Sequence, residues 1–107
     1  MKICLVYITF DKEEEAHSLC NLLIIERLVA GVHLYPIEAI FHWKQEIVHR
    51  GEFVAVVQSS IKLWPVLRER IEQLHSFEVP CIMMVEAEVN DSFAHWIDAE
   101  TQLTTDN

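Results

Sequence analysis

Two glycines among 107 residues are too few for a glycine-rich phosphate cradle, and the chain has no GxGxxG, P-loop, nucleophile-elbow or HExxH pattern. Cations are also scarce. Eight Lys and Arg against 17 Asp and Glu leave a formal charge of −9, which excludes the clustered basic surface that phosphate-backbone binding needs. The two glycines and three prolines, with 51% hydrophobic residues, also exclude a disordered or collagen-like chain. A chain of this length makes one domain, 1–107, with a polar tail over 101–107 expected to fray.

The three cysteines, Cys4, Cys20 and Cys81, are odd in number and form no CxxC pair. They read as reduced thiols in a cytoplasmic protein, not as a disulfide framework. The only early apolar run, Ile3 to Phe10, stops at Asp11-Lys12-Glu13-Glu14-Glu15 and is too short to span a bilayer, so no membrane is expected as a partner.

What the chain does have is apolar periodicity. Ile3 to Thr9 reads as a central strand. Asp11 and Glu14 suggest a capping box for a helix whose stripe Ala16, Leu19, Cys20, Leu23, Ile24 and Leu28 runs to Ala30-Gly31. Val32 to Ser60 is β-favouring on both sides of Lys44-Gln45-Glu46, the expected tip of a long hairpin, with Pro36 suited to an edge or bulge. Ser59-Ser60 is positioned to cap a second helix with Leu63, Leu67, Ile71 and Leu74 on one face. Pro80 opens a strand Cys81 to Val85, and Asn90-Asp91-Ser92 a short helix carrying Phe93, Trp96 and Ile97. The order β-α-β-β-α-β plus a C-terminal helix predicts an α+β, ferredoxin-like fold. One sheet face is then left without an obvious cover, and self-association is the simplest supply.

Candidate chemistry gathers at the second helix-to-strand junction, Leu74 to Pro80. His75, Glu78 and Cys81 recur every three residues and offer nitrogen, oxygen and sulfur donors suited to copper or zinc. The competing reading is a helix end with His75 and Glu78 facing water, Phe77 packing and Cys81 entering the core. Trp43 beside a polar tip fits either a neighbouring subunit or cleft, or partial burial on its own sheet. His42 and His49 flank the tip and could face each other across the strands. Ser59-Ser60 has no nearby base, and no nucleophile–base pair can be named, so no enzyme is expected.

Several segments together resemble the CutA divalent-cation-tolerance family. They are Glu13-Glu14-Glu15-Ala16, Glu26-Arg27-Leu28-Val29-Ala30-Gly31-Val32, Ile40-Phe41-His42-Trp43, Leu74-His75-Ser76-Phe77-Glu78-Val79-Pro80 and Ser92-Phe93-Ala94-His95-Trp96-Ile97, in family order from residue 3 to about 100. The resemblance implies a non-enzymatic homotrimer, similar in architecture to PII signalling proteins. It further implies intersubunit clefts that gather Trp43, His75, Phe77 and Glu78, and a role in tolerance of divalent metal, Cu(II) especially, with no organic cofactor. The alternative is a PII-like regulatory or scaffolding module that binds a protein partner. This chain departs from the family pattern at Gly31, often cysteine; at Gln58-Ser59, usually Lys-Thr; at Ser76-Phe77 in place of Pro-Tyr; at Cys81 in place of a frequent glutamate; and at the tip, where Lys44-Gln45-Glu46 replaces Glu-Gly-Lys.

Overall fold

The computed structural model describes residues 1–102. The elements are β1 (Lys2–Phe10), α1 (Glu13–Ile25), β2 (Gly31–Trp43), β3 (Glu46–Ser59), a 3₁₀ turn (Ile61–Leu63), α2 (Trp64–Leu74), β4 (Ile82–Glu88) and α3 (Asp91–Glu100). The strands form one antiparallel sheet in the order β2-β3-β1-β4, so the α+β ferredoxin-like expectation holds. Pro36 sits on β2, an edge strand, where its missing N–H leaves no ladder gap on the outer side.

Period-two alternation divides the sheet. Cys4, Val6, Ile8 and Phe10 of β1 meet Ala16, Leu19, Cys20 and Leu23 of α1 and Leu67 and Ile71 of α2 in the main core. Odd-numbered residues of β1 point the other way. There α3 covers one end, packing Ala94 and Ile97 on Ile3, with Leu5 and Ala87 alongside. The second face therefore has a partial cover from its own chain. The cover stops short of Tyr35, Met83 and Val85, which remain exposed.

β1 pairs with β3 only as far as Phe10↔Phe53, whereas β2 and β3 stay paired from Ile37↔Glu52 out to Trp43↔Glu46. The end of the hairpin is thus a two-stranded ribbon that overhangs the sheet. Thirteen residues of β2 at roughly 3.4 Å each reach about 44 Å, and the molecule's longest extent is 45 Å. The tip is the two-residue turn Lys44-Gln45, with φ of 49° and 69°. Two positive φ values are what a hairpin's type I′ turn needs, and neither residue is Gly or Asn. His42 lies opposite Ile47 and His49 opposite Ile40, so the two histidines are diagonal neighbours and not a direct pair.

Helix ends differ from the sequence expectation. The N-cap of α1 is Lys12, with no side-chain cap, so Asp11 and Glu14 make no capping box. Asp11 instead faces Arg50 at 3.7 Å. The helix stops at Ile25, well before Ala30-Gly31, because Arg27 adopts φ of 61° and closes a Schellman motif: Leu28 N–H donates to the Leu23 carbonyl and Arg27 N–H to that of Ile24, both at 3.0 Å. Ser59 and Ser60 do not cap α2. Their hydroxyls donate to the Leu28 carbonyl and to Asp98 Oδ1, each at 2.6 Å, tying the end of β3 to the α1–β2 link and to α3. Asn90 makes no side-chain cap on α3 and donates to Ser92 Oγ instead. Thr101 and Gln102 are not frayed: Thr101 Oγ1 donates to the Ile97 carbonyl at 2.8 Å and Gln102 N–H to that of Arg27 at 2.9 Å. The rest of the expected frayed tail, 103–107, lies outside the described residues.

Two predictions follow from these ends. Replacing the tip by Lys44→Asn with Gln45→Gly relieves left-handed strain at two side-chain-bearing residues, and should stabilise the fold by about 1 kcal/mol in urea denaturation. Arg70 donates to both oxygens of Glu26 at 2.8 and 2.6 Å, joining the C-cap of α1 to α2, and this bond holds the Glu26 carboxyl below its ordinary value of 4.5. Because the folded pKa is depressed, the contribution is fully present above pH 4.5 and is lost as the pH falls through the lowered pKa. Glu26→Gln should therefore flatten the acid limb of a stability–pH curve and leave its shape above neutrality unchanged.

Candidate functional site

The overhanging ribbon and the 75–81 link between α2 and β4 enclose a cleft of about 660 Å³. His75 sets the link. Its backbone caps α2, with its N–H donating to the Ile71 carbonyl at 2.9 Å, and its imidazole is fully buried. One face stacks on Phe10 at 4.8 Å and 16°, and Phe77 tilts against the ring at 4.8 Å. Nε2 lies 2.7 Å from the Thr9 carbonyl, and Nδ1 lies 3.1 Å from the Phe77 N–H. A carbonyl only accepts and an amide N–H only donates, so the proton is on Nε2 and Nδ1 is an acceptor. Glu15 of α1 completes the clamp: one of its oxygens takes the Ser76 N–H at 3.0 Å and the other the Ser76 hydroxyl at 2.8 Å.

Phe77, fixed in this way, faces the ribbon. The Arg50 guanidinium lies 5.3 Å from the Phe41 ring and 5.5 Å from that of Phe77. Its Nε and Nη2 both donate to Glu52 Oε2, at 3.0 and 2.7 Å, and Glu52 is only 6% exposed. This charge pair forms the floor of the cleft. Tyr7 and Cys81 border it, and burial raises both of their pKa values, with smaller upward contributions from Glu52, so both are neutral donors at physiological pH. At the mouth, Lys44 lies 5.5 Å above the Trp43 ring and 4.0 Å from Glu78 Oε2.

The structure thus brings Trp43, Phe77, Glu78 and Cys81 to one cleft, with His75 beneath its wall and not on its surface. It does not assemble the arc of His75, Glu78 and Cys81 as a metal centre. Both His75 ring nitrogens are already engaged, and among the described residues no group of three His, Cys, Asp or Glu side chains is placed to hold a metal ion. Arg50, Glu52, Phe41 and Tyr7 were not among the site residues expected from the sequence. The signal for the first two was present: β3 reads Val48, Arg50, Glu52, Val54 at alternate positions, two opposite charges inside one apolar face.

Two sequence departures also find their place. A Cβ on Gly31 would run into Gln58 Oε1, and Trp96 closes the same space. The Gln58 amide is otherwise held beside His33 Nε2 at 3.4 Å.

A four-stranded antiparallel sheet with two helices on one face, a third helix at one end of the other, and an overhanging hairpin that walls a cleft defines a ferredoxin-like α+β domain. The family model of the CutA1 divalent ion tolerance protein matches residues 4–100, and the chain belongs to that family. It is 33% identical over 99 residues to the divalent-cation tolerance protein CutA of Pyrococcus horikoshii, covering 92% of this chain and 97% of that protein. With the Thermus thermophilus protein of the same name it shares 34% identity over 98 residues, 90% of this chain and 95% of that one. The crystal structure of CutA1 from Pyrococcus horikoshii superposes with a TM-score of 0.90 at 32% identity, over 92% of this chain and 98% of the other. The Archaeoglobus fulgidus structure, described as a periplasmic divalent cation tolerance protein, gives 0.89 at 29% identity, over 95% of this chain and all (100%) of the other. Among the described residues no helix is long and apolar enough to cross a membrane.

His75→Ala removes a buried ring, the Thr9 bond and the acceptor for Phe77. It should cost about 3 kcal/mol in denaturant unfolding, and hydrogen exchange at the Phe77 amide should rise out of proportion to the global loss.

Proposed function

We propose that the protein works as a homotrimer in divalent-cation tolerance, as a binding protein without a catalytic step, with the cleft as its binding site where subunits meet. The observation that carries the assembly is the ribbon. Beyond Phe10↔Phe53 it has no third strand, yet it exposes apolar side chains on both faces: Ile40 and Ile47, 60% and 64% exposed, on one side and Trp43, 39% exposed, on the other. A two-stranded ribbon is marginal in water, and a neighbouring subunit would cover both faces.

Copper(II) is the cation we propose. Glu78 and Cys81 supply donors on one subunit, a neighbour supplies the rest, and His75 acts by positioning the segment that carries them. The family's name in divalent-cation tolerance supports this reading, as does the acidic charge of −9, which favours cations over anions. The side chains that could have served as nucleophiles support a non-enzymatic role. Ser59 and Ser60 are consumed in structural hydrogen bonds, and burial pushes the Cys4 and Cys20 thiols up to about 11. All three cysteines are free, which suits the cytoplasm.

Light scattering should give the mass of three chains at micromolar concentration, and a stable monomer would overturn the assembly and the cleft together. Calorimetric titration with copper(II) and with zinc should show saturable binding for the parent. For Glu78→Gln combined with Cys81→Ser, binding should be at least about tenfold weaker. Identical, non-saturating heats in both proteins would sink the metal site.

A further inference from the structure

Both ring nitrogens of His75 are engaged, and the pair of bonds fits only the neutral imidazole. Nε2–H donates to the Thr9 carbonyl at 2.7 Å, and Nδ1 accepts the Phe77 N–H at 3.1 Å. A proton added to Nδ1 turns that acceptor into a donor, and the Phe77 N–H then faces another donor. An alternative partner already stands beside the ring. Glu15 Oε2 lies 3.9 Å from Nδ1, about 1 Å beyond a charge-assisted hydrogen bond, and takes the Ser76 N–H at 3.0 Å. A carboxylate oxygen accepts more than one hydrogen bond, so holding Ser76 does not bar it from a charged imidazole.

We propose that His75 and Glu15 form a pH-sensitive switch that holds or releases Phe77. When the ring is neutral, Nδ1 accepts from Phe77. When it is charged, Nδ1–H donates to Glu15 Oε2, and the one nitrogen cannot serve both. Histidine is the side chain that changes charge between about pH 5 and 8. The imidazole is fully buried, so its charged form needs an opposite charge at hand, and Glu15 supplies it from α1. The other charged groups around the link have partners of their own. Asp11, just past β1, faces Arg50 at 3.7 Å, and Arg50, 5.5 Å from the Phe77 ring, is bonded to Glu52 at 2.7 Å. Glu78 meets Lys44 at 4.0 Å, and on α2 Glu72 faces Arg68 at 3.9 Å. As the pH falls, Thr9 and Ser76 keep their bonds and the Phe77 amide alone loses its acceptor. Phe77 is the residue whose ring meets Arg50 of the ribbon, so acidification loosens the link from the ribbon without opening the core. Every contact in the switch lies within one chain, so it stands or falls separately from the trimer and the copper site.

The test titrates the full chain, labelled with nitrogen-15 and in its native assembly, from about pH 8 to about pH 5. Long-range imidazole correlation spectra should show His75 as the Nε2–H tautomer at the upper end and doubly protonated at the lower. Over the same range the Phe77 amide's protection against hydrogen exchange, corrected for the intrinsic rate at each pH, should fall at least about tenfold. Protection of the Ser76 amide and of the β1–β3 ladder should hold. Glu15→Gln removes the charged partner and should cut the fall at Phe77 to less than about threefold. A ring still neutral at the lower end, a charged ring with Phe77 still protected, or an undiminished fall in Glu15→Gln overturns the proposal. So does loss of protection at Ser76 and the ladder together with Phe77, which marks general acid unfolding and not a switch. Where the variant does not fold, the imidazole and amide readouts of the unmodified protein decide the matter.

Discussion

The imidazole of His75 is the contact on which the cleft depends. A helix and an edge strand must be joined over a few residues, and the link has no secondary structure of its own to hold it. His75 supplies that order by taking a carbonyl from β1 on one nitrogen and the N–H of Phe77 on the other, with its ring pressed on Phe10. Each bond fixes the tautomer that makes the other possible. Glu15 adds a second anchor from α1. Phe77 is thereby aimed at Arg50, and one wall of the cleft becomes a property of the core and not of a loose loop.

The other wall has the opposite character. It is a ribbon that leaves the sheet once β1 ends, its backbone paired there through the β2–β3 ladder alone. Arg50 and Glu52 bind this wall to the first, because their pair sits under both Phe41 and Phe77. With Glu52 buried but Arg50 39% exposed, the pair is only half removed from water and contributes little net stability. Its visible effect is to hold the Arg50 guanidinium between the Phe41 and Phe77 rings.

Much of the architecture was legible because it follows from period. The order of elements, a hairpin tip within Lys44-Gln45-Glu46, Pro36 on an edge strand and the face of Leu63, Leu67, Ile71 and Leu74 all come from apolar spacing and turn chemistry. The caps were not legible. Arg27 ends α1 in a conformation usually given to glycine, and Ser59, Ser60 and Asp11 spend their polar groups on distant partners. Such long-range choices leave no local trace. The site was half legible for the same reason. Trp43, Phe77, Glu78 and Cys81 do meet at the cleft, but spacing could not reveal that His75 points inward with both ring nitrogens in hydrogen bonds.

Gly31 and Gln58 have a consequence for how such a sequence can change. The space that a side chain at 31 would occupy is taken by the end of the Gln58 side chain, so a change at one position is felt at the other. A cysteine introduced at 31 alone meets a packed neighbour. A shortened residue at 58 alone opens a void beside Trp96 and releases His33. Because the near contact is the end of a flexible side chain, a residue at 31 can be accommodated if the Gln58 amide turns aside and gives up its place beside His33.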